Sequence, residues 1–378
     1  MNPALKALIG DGAPDAAAID AFIDRNRFPL VDRHGVTFVF RGEAESVLLR
    51  CFMSGLPGPQ PLTRVADTDL WVVTVEFPEA SRIEYKFEVS RDGHGEMILD
   101  PLNVVQARDP FGANSVCQGY GYTRPIWTLD DSTAREGKLR RHRFHSDAFG
   151  EQREILVYLP ATFRRNRRYP LLICHDGADY VRYAALKTVL DNLITDLDIP
   201  PLVVALTQSP DRLVEYAGND AHARFISEDL LGYMTASYPL IDERRSRAVM
   251  GASFGGVASL HASWSAPELF GKLLLQSGSF AFSDFGPHSR GEVFDPVVDF
   301  VNRFRASPRQ CADRVYMSCG VYESLIYENR SLVPRLQADD MEVRFEEVRD
   351  AHNWENWRDR LRSALSWLFP GPNWVVYD

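Results

Sequence analysis

No apolar run in this 378-residue chain is long enough to cross a membrane. The first residues, Met1-Asn2-Pro3-Ala4-Leu5-Lys6, lack the apolar core of a secretory signal, and the charges that follow are acidic. Cysteine is scarce: five residues, at 51, 117, 174, 311 and 319, with no C-x-x-C pair. An odd, scattered set predicts reduced thiols and, with the missing signal, a soluble cytoplasmic protein. Positive charge is in deficit as well. Lys and Arg number 42 against 52 Asp and Glu, a formal net charge of −10 that argues against a nucleic-acid partner. The basic clusters at 140–143 and 164–168 are short and read as solvated strand and loop surface. There is no G-x-G-x-x-G and no P-loop, so no nucleotide cofactor is implied. His142 and His145 have the spacing of metal ligands, but on a strand they point to opposite faces. No cysteine or carboxylate pair completes a site beside them, so no metal is expected. Internal repeats and low-complexity segments are also lacking.

What is present is an ordinary globular composition, 45% hydrophobic and 25% charged, in a chain long enough for two domains. Residues 12–28 show helical spacing through Ile19, Phe22 and Ile23. From Gly35 short alternating runs take over, at 36–40, 47–53, 71–77, 83–89 and 97–99, with turn-rich spacers at 54–61 and 91–95. That spacing predicts an antiparallel sandwich. Residues 1–118 are thus expected to form a helix plus a β-sandwich, 119–138 a linker, and 139–378 a second domain. In the second domain strands at 139–144, 154–159, 171–175, 202–206, 248–250, 272–276, 315–319 and 343–347 alternate with helices. The helical segments are 182–197, 221–237, 254–265, 293–305, 327–338 and 355–368. Apolar strands interleaved with helices predict an α/β fold, a mostly parallel sheet flanked by helices on both faces.

Gly251-Ala252-Ser253-Phe254-Gly255 reads G-x-S-x-G, the nucleophile elbow of an α/β-hydrolase, with a β-prone run before it and a helix after it. A serine hydroxyl is a weak nucleophile until a base takes its proton. The hydrolase order demands an acid and then a histidine downstream of the serine. Three histidines qualify by position. His261 lies inside the elbow helix and reads as a packed helix residue. His288 sits in a polar loop that could contact substrate. His352, between the last strand and the last helix, is the expected base. Glu323, in the turn after the strand 315–319, is the expected acid. Glu328 is its nearest rival but falls within the next helix, and Asp350 is too close along the chain to reach around the ring. Two backbone N–H groups should hold the oxyanion, those of Phe254 and of Ala178 in the loop His175-Asp176-Gly177-Ala178.

The stretches 153–160, 172–177, 212–216, 267–271, 275–280 and 352–358, taken with the elbow, resemble the enterochelin-esterase branch of the esterase D-like superfamily over residues 139–368. Residues 35–118, with Leu70-Trp71, Glu84-Tyr85-Lys86-Phe87 and Asp100-Pro101-Leu102-Asn103, resemble the immunoglobulin-like early-set domain that precedes many such esterases. The resemblance implies a serine carboxylic-ester hydrolase, without cofactor, acting on a small-molecule ester. Its implied substrate is a catecholate siderophore or its iron complex. Asp176, Arg212 and Trp354 are the implied substrate contacts, with Arg182 and Arg290 as further basic candidates for an anionic ligand. A feruloyl or acetyl-type carbohydrate esterase and an acyltransferase are the alternatives in the same superfamily. A non-enzymatic alternative is a glycan-binding protein with a vestigial hydrolase domain, in which Trp71, Tyr85 and Phe87 stack on sugars. Oligomeric state stays open.

Overall fold

A computed structural model describes residues 2–10, 13–51, 53, 58–284 and 286–372. Of the expected turn-rich spacer at 54–61, residues 54–57 lie outside the described residues, as does Phe285. The chain divides into two compact units. The first takes Met1–Arg124, Gly320–Glu323 and Val348–Asn353; the second takes Pro125–Cys319, Ser324–Glu347 and Trp354–Asp378.

In the first unit two helices, α1 (Pro3–Ile9) and α2 (Ala16–Arg25), precede ten strands. These are β1 (Leu30–Val31), β2 (Gly35–Arg41), β3 (Ser46–Cys51), β4 (Gln60–Pro61), β5 (Thr63–Arg64) and β6 (Leu70–Glu76), then β7 (Arg82–Arg91), β8 (His94–Ile98), β9 (Gln106–Asp109) and β10 (Gly112–Gln118). They form a four-stranded sheet, β1-β2-β6-β5, and a six-stranded sheet in which β4-β3-β7-β10-β9 run in order and β8 pairs with β7. Phe38 and Phe40 of the first sheet meet Tyr85 and Phe87 of the second edge to face, at 4.8 and 5.8 Å between centroids. Val39, on the opposite face of β2, packs instead with Leu5, Ile19 and Phe22 of the two helices. That second cover explains why six consecutive residues of β2 are buried, where a one-sided sandwich strand would alternate. Trp71, Tyr85 and Phe87 are 7%, 0% and 0% exposed. Their faces are spent on the core, as sandwich residues of this type are expected to be, and are not open to stack on a glycan as the non-enzymatic alternative requires.

The second unit is built on an eight-stranded sheet of β11 (Lys138–Ser146), β12 (Glu151–Leu159), β13 (Leu171–Cys174), β14 (Val203–Thr207), β15 (Arg247–Ala252), β16 (Lys272–Gln276), β17 (Arg314–Gly320) and β18 (Glu342–Val348). Its order is β11-β12-β14-β13-β15-β16-β17-β18. The β11–β12 and β12–β14 pairings are antiparallel, and β14-β13-β15-β16-β17 is parallel throughout. Alternate residues of the central strands feed two separate cores. Leu171, Ile173, Val249, Leu273, Leu275, Val315 and Met317 face one layer, while Leu172, Cys174, Ala248, Met250, Leu274 and Tyr316 face the other. Both faces are covered by helices: α3 (Gly177–Tyr183), α4 (Leu186–Thr195), α5 (Arg212–Glu215), α6 (Asp220–Arg224), α7 (Leu231–Ser237), α8 (Phe254–Ser265), α9 (Asp295–Ala306), α10 (Ile326–Gln337) and α11 (Trp354–Leu368). The single helix expected at 182–197 is two helices, broken at Ala185, which adopts a left-handed conformation with φ 48° and ψ 32°. The helix expected at 221–237 contains a π-helical turn, Phe225–Leu230. Within the expected linker, Trp127 and Leu129 give their carbonyls to Asn192 Nδ2 at 3.0 and 2.8 Å.

Candidate active site

The connection from β13 runs to β14 on one side and that from β15 to β16 on the other, so the sheet changes direction between the neighbours β13 and β15. Ligands of open α/β sheets bind beyond the carboxyl ends of the strands at such a switch point. Ser253 follows β15 directly. Its backbone has φ 57° and ψ −123°, outside the αL region that a non-glycine residue tolerates, so the surrounding structure must hold it. The restraints are visible. Ser253 N–H donates to Gln276 O at 3.0 Å, and Ser253 O accepts from Gly256 N–H at 3.0 Å and Ser279 N–H at 3.1 Å. Gly251 is required by close approach: a Cβ there would sit 2.3 Å from Gly255 O. Residues 254–263 of α8 are buried, which anchors the helix side of the turn. The half-buried Ser253 side chain presents Oγ 3.2 Å from Ser279 Oγ.

The loop after β13 lies beside this elbow because the two strands are parallel neighbours, Cys174 opposite Met250. His175 N–H donates to Met250 O at 2.9 Å. Asp176 then takes a left-handed turn, φ 51° and ψ 37°, into α3, whose second residue is the half-buried Ala178. The Asp176 carboxylate is buried and paired with Arg212, Nη2 to Oδ2 at 2.9 Å and Nε to Oδ1 at 3.3 Å. Burial raises the Asp176 pKa, and the Arg212 guanidinium works against that rise. Arg212 stands 6.0 Å from the Phe254 ring centroid and 5.7 Å from that of Tyr216. Trp354, at the start of α11, packs edge to face on Tyr180 at 5.2 Å and on Trp357 at 4.8 Å.

Glu323 and His352 meet within the first unit. His352 Nδ1 lies 2.7 Å from Glu323 Oε2, and Gly320 N–H donates to Oε1 at 2.7 Å. The Glu323 side chain is 1% exposed, whereas the imidazole is 38% exposed. A proton on Nδ1 held by the carboxylate leaves Nε2 with its lone pair available. The two turns that carry them are laced together by Val321 N–H to Val348 O at 2.8 Å and Tyr322 N–H to Asp350 O at 3.2 Å. A Cβ on Gly320 would fall 2.2 Å from Asp350 O, so only glycine allows this approach. The rivals have other work. Glu328 lies in α10 and is paired with Arg290. Asp350 accepts from Ala351 N–H and Asn353 Nδ2 and faces Arg82. His261 is buried against Phe300, His288 bonds Asp295 at 2.8 Å, and His142 is bonded by Tyr233 and Tyr238 rather than facing His145. Arg182 is exposed, 5.2 Å from the Tyr183 ring centroid.

Sequence reasoning missed a buried relay behind the His175 loop. Ser259 Oγ lies 3.0 Å from His175 Nδ1, His175 Nε2 3.0 Å from His222 Nε2, and Glu215 pairs with Arg153 at 2.7 Å. Arg153, His175 and Glu215 fall in stretches that carry the resemblance, but their contacts are not legible there, since the five residues come from separate parts of the chain. The Gln276 and Ser277 side chains were missed as well. Gln276 accepts from Tyr180 Oη and donates to Trp357 O, and Ser277 Oγ accepts from Trp357 Nε1.

Residues 146–368 match the model of the Esterase family, described as putative esterase. Iron(III) enterobactin esterase of Escherichia coli K12 is 24% identical over 81% of this chain and 81% of its own length. The solved ferric enterobactin esterase of Salmonella typhimurium superposes with a TM-score of 0.76 over 92% of this chain and 98% of that one, at 23% identity. The enterobactin esterase of Shigella flexneri, solved in the presence of enterobactin, gives 0.74 over 92% and 97%, also at 23%. The family match spans more than half of the chain and contains the elbow, the Asp-Gly loop and both turns of the acid–histidine pair: this protein belongs to the Esterase family and is an enterochelin esterase-like carboxylic-ester hydrolase.

Proposed function

We propose that the protein is a serine esterase that opens the ester bonds of a catecholate siderophore, free or as its iron complex, through an acyl-enzyme on Ser253. His352 Nε2 takes the proton from Ser253 Oγ as the oxygen attacks the ester carbonyl. The carbonyl electron pair moves onto oxygen, and the backbone N–H groups of Phe254 and Ala178 donate to that oxyanion. Collapse expels the alcohol, which leaves with the proton held on His352. Water then repeats the sequence on the acyl-serine, releasing the acid and restoring the serine. Glu323 fixes the ring tautomer and stabilises the imidazolium formed in each half-reaction. Asp176 sets Arg212 beside the elbow to face an anionic substrate, and Trp354 offers an aromatic wall to a catechol ring.

The observation that carries this reading is the strained backbone of Ser253 at the carboxyl end of β15, stored strain being a mark of functional positions. The choice of catecholate rests on the relatives from Escherichia coli and Salmonella, which are named for iron(III) enterobactin. A hydrolysis screen over catecholate trilactones, feruloyl esters and acetylated sugars, with Ser253→Ala as the blank, tests both parts. Turnover of a trilactone by the wild type and none by Ser253→Ala is the expected result. Undiminished turnover in that variant would sink the mechanism; preference for a feruloyl ester or acetylated sugar would move the substrate. Added alcohol acceptors distinguish hydrolysis from acyl transfer by whether a new ester accumulates.

A further inference from the structure

Arg82, the first residue of β7, is a fully buried arginine in the β-sandwich unit, with a side-chain exposure of 0%. A guanidinium that leaves water must be matched by fixed acceptors, and three are in place. Nη1 donates to Asn353 Oδ1 at 2.9 Å and reaches Asp350 Oδ1 at 3.4 Å; Nη2 donates to Glu84 Oε1 at 3.0 Å. Asp350 and Asn353 bracket His352 in the chain. Asp350 Oδ1 ties that short segment to itself, accepting from Ala351 N–H at 2.7 Å and Asn353 Nδ2 at 2.8 Å. The backbone agrees, since Arg82 N–H donates to Arg349 O at 2.9 Å. The neighbouring residue does the same for the acid. Ser81 Oγ lies 2.6 Å from Tyr322 Oη, and Tyr322 immediately precedes Glu323. Tyr322 and Ala351 are themselves members of the sandwich core.

We propose that the sandwich unit positions the acid–base pair, with Arg82 as the positioning residue for the His352 turn and Ser81 for the Glu323 turn. The chain geometry favours this over a merely cohesive role. Both contacts fall on residues adjacent to, or one step removed from, the two side chains whose 2.7 Å bond defines the tautomer. Nη1 meets Asp350 and Asn353 while Nη2 is anchored on Glu84, so the planar fork fixes the direction from which the turn is held, which a point charge does not. The N-terminal domain thereby sets the orientation of the imidazole, and with it the height of the chemical barrier. An error of about 1 Å in such a placement costs on the order of 100-fold in rate.

This inference rests on His352 being the base, and the variants are chosen to separate the two ideas. Full-length Arg82→Met, Arg82→Lys, Tyr322→Phe and His352→Ala are compared on an activated p-nitrophenyl ester, with circular dichroism and thermal melting to certify the fold. Arg82→Met is expected to lower kcat by ten-fold or more with KM within about three-fold. It should also shift the acid limb of the pH–kcat profile, which reports the imidazole in the bound enzyme. Arg82→Lys should recover only part of the rate, because one ammonium does not span the three acceptors. Tyr322→Phe removes a single hydroxyl and keeps the inference open to refutation if Arg82→Met fails to fold; its kcat should fall several-fold, with a smaller displacement of the same limb. Folded Arg82→Met, or folded Tyr322→Phe should Arg82→Met not fold, with wild-type kcat and wild-type acid limb while His352→Ala is inactive overturns the inference alone. Turnover that survives His352→Ala overturns both it and the mechanism.

Discussion

Replacing Glu323 by glutamine keeps the shape of the side chain and changes only its hydrogen-bonding capacity. The carboxylate accepts from two donors, Gly320 N–H through Oε1 and the His352 ring through Oε2, each at 2.7 Å. Glutamine has one acceptor oxygen and one NH2. With its oxygen toward Gly320, the NH2 meets His352 Nδ1, which must then be the bare nitrogen. The proton sits on Nε2, where the serine proton has to go. With its oxygen toward His352, the NH2 is pressed against Gly320 N–H, two donors in a site that is 1% exposed. Either orientation forfeits a charge-assisted bond, about 1.5–3 kcal/mol of stability. The first also imposes the wrong tautomer, which in a serine-histidine-acid site costs about 10⁴ in kcat, roughly 5 kcal/mol of barrier. Steady-state kinetics on an activated ester near pH 8, with a thermal melt of the same preparation, read both quantities. A folded Glu323→Gln enzyme whose kcat stays within three-fold of wild type would refute the role of this carboxylate. Glu323→Asp, which keeps the charge and shortens the reach, should fall between the two.

Two further outcomes follow from buried charges near the elbow. Arg212→Met leaves the 3%-exposed Asp176 side chain without its guanidinium and should cost about 3 kcal/mol in urea unfolding, while Asp176→Asn/Arg212→Met recovers most of that; additive losses would deny the coupling. Acid should unfold the protein earlier than its carboxylates alone require. Burial holds His175 and His222 below the usual 6.5, so as pH falls through 6.5 the unfolded chain binds protons that the native state refuses, and stability drops. Burial would raise Glu215, but hydrogen bonds from His222, Arg153 and Ser209 outweigh it and hold the carboxylate at about 2, so its stabilisation is complete above 4.5 and lost below. Melting temperature measured from pH 8 to pH 4 should slope downward with acidification, less steeply in His222→Asn; a flat profile would contradict this.

The central sheet was legible because its strands are apolar on both faces and separated by helices with clear amphipathic spacing. The helix after the elbow runs Phe254–Ser265, as its sequence predicts, since glycine and serine before it and Pro267 after it mark both ends. The break at Ala185 was not legible, because alanine carries no turn signal and rarely adopts the left-handed conformation it has there. β10 was invisible for a related reason. Gly-Ala-Asn-Ser-Val-Cys-Gln has little apolar alternation and owes its pairing to β7 and β9 on either side. For the candidate site, residue type and chain order pointed to Ser253, which stands on a strained turn after β15, and to Glu323 and His352, which lie 2.7 Å apart. Arg82 gave no signal at all. A charged residue opening a strand reads as surface, and its burial depends on partners 268 and 271 positions away.

The first unit is discontinuous in the chain, and this has a consequence for how the protein is made. Its strands leave the ribosome before those of the other unit, yet residues 349–353 emerge only after all eight strands of the other sheet have been synthesised. Until then the nascent sandwich lacks Tyr322 and Ala351 from its core, and Arg82 lacks Asp350 and Asn353. A fragment ending at residue 124 reproduces that unfinished intermediate rather than a domain. The sandwich, most of it translated before the other unit, is thus completed only after that unit's sheet has been made.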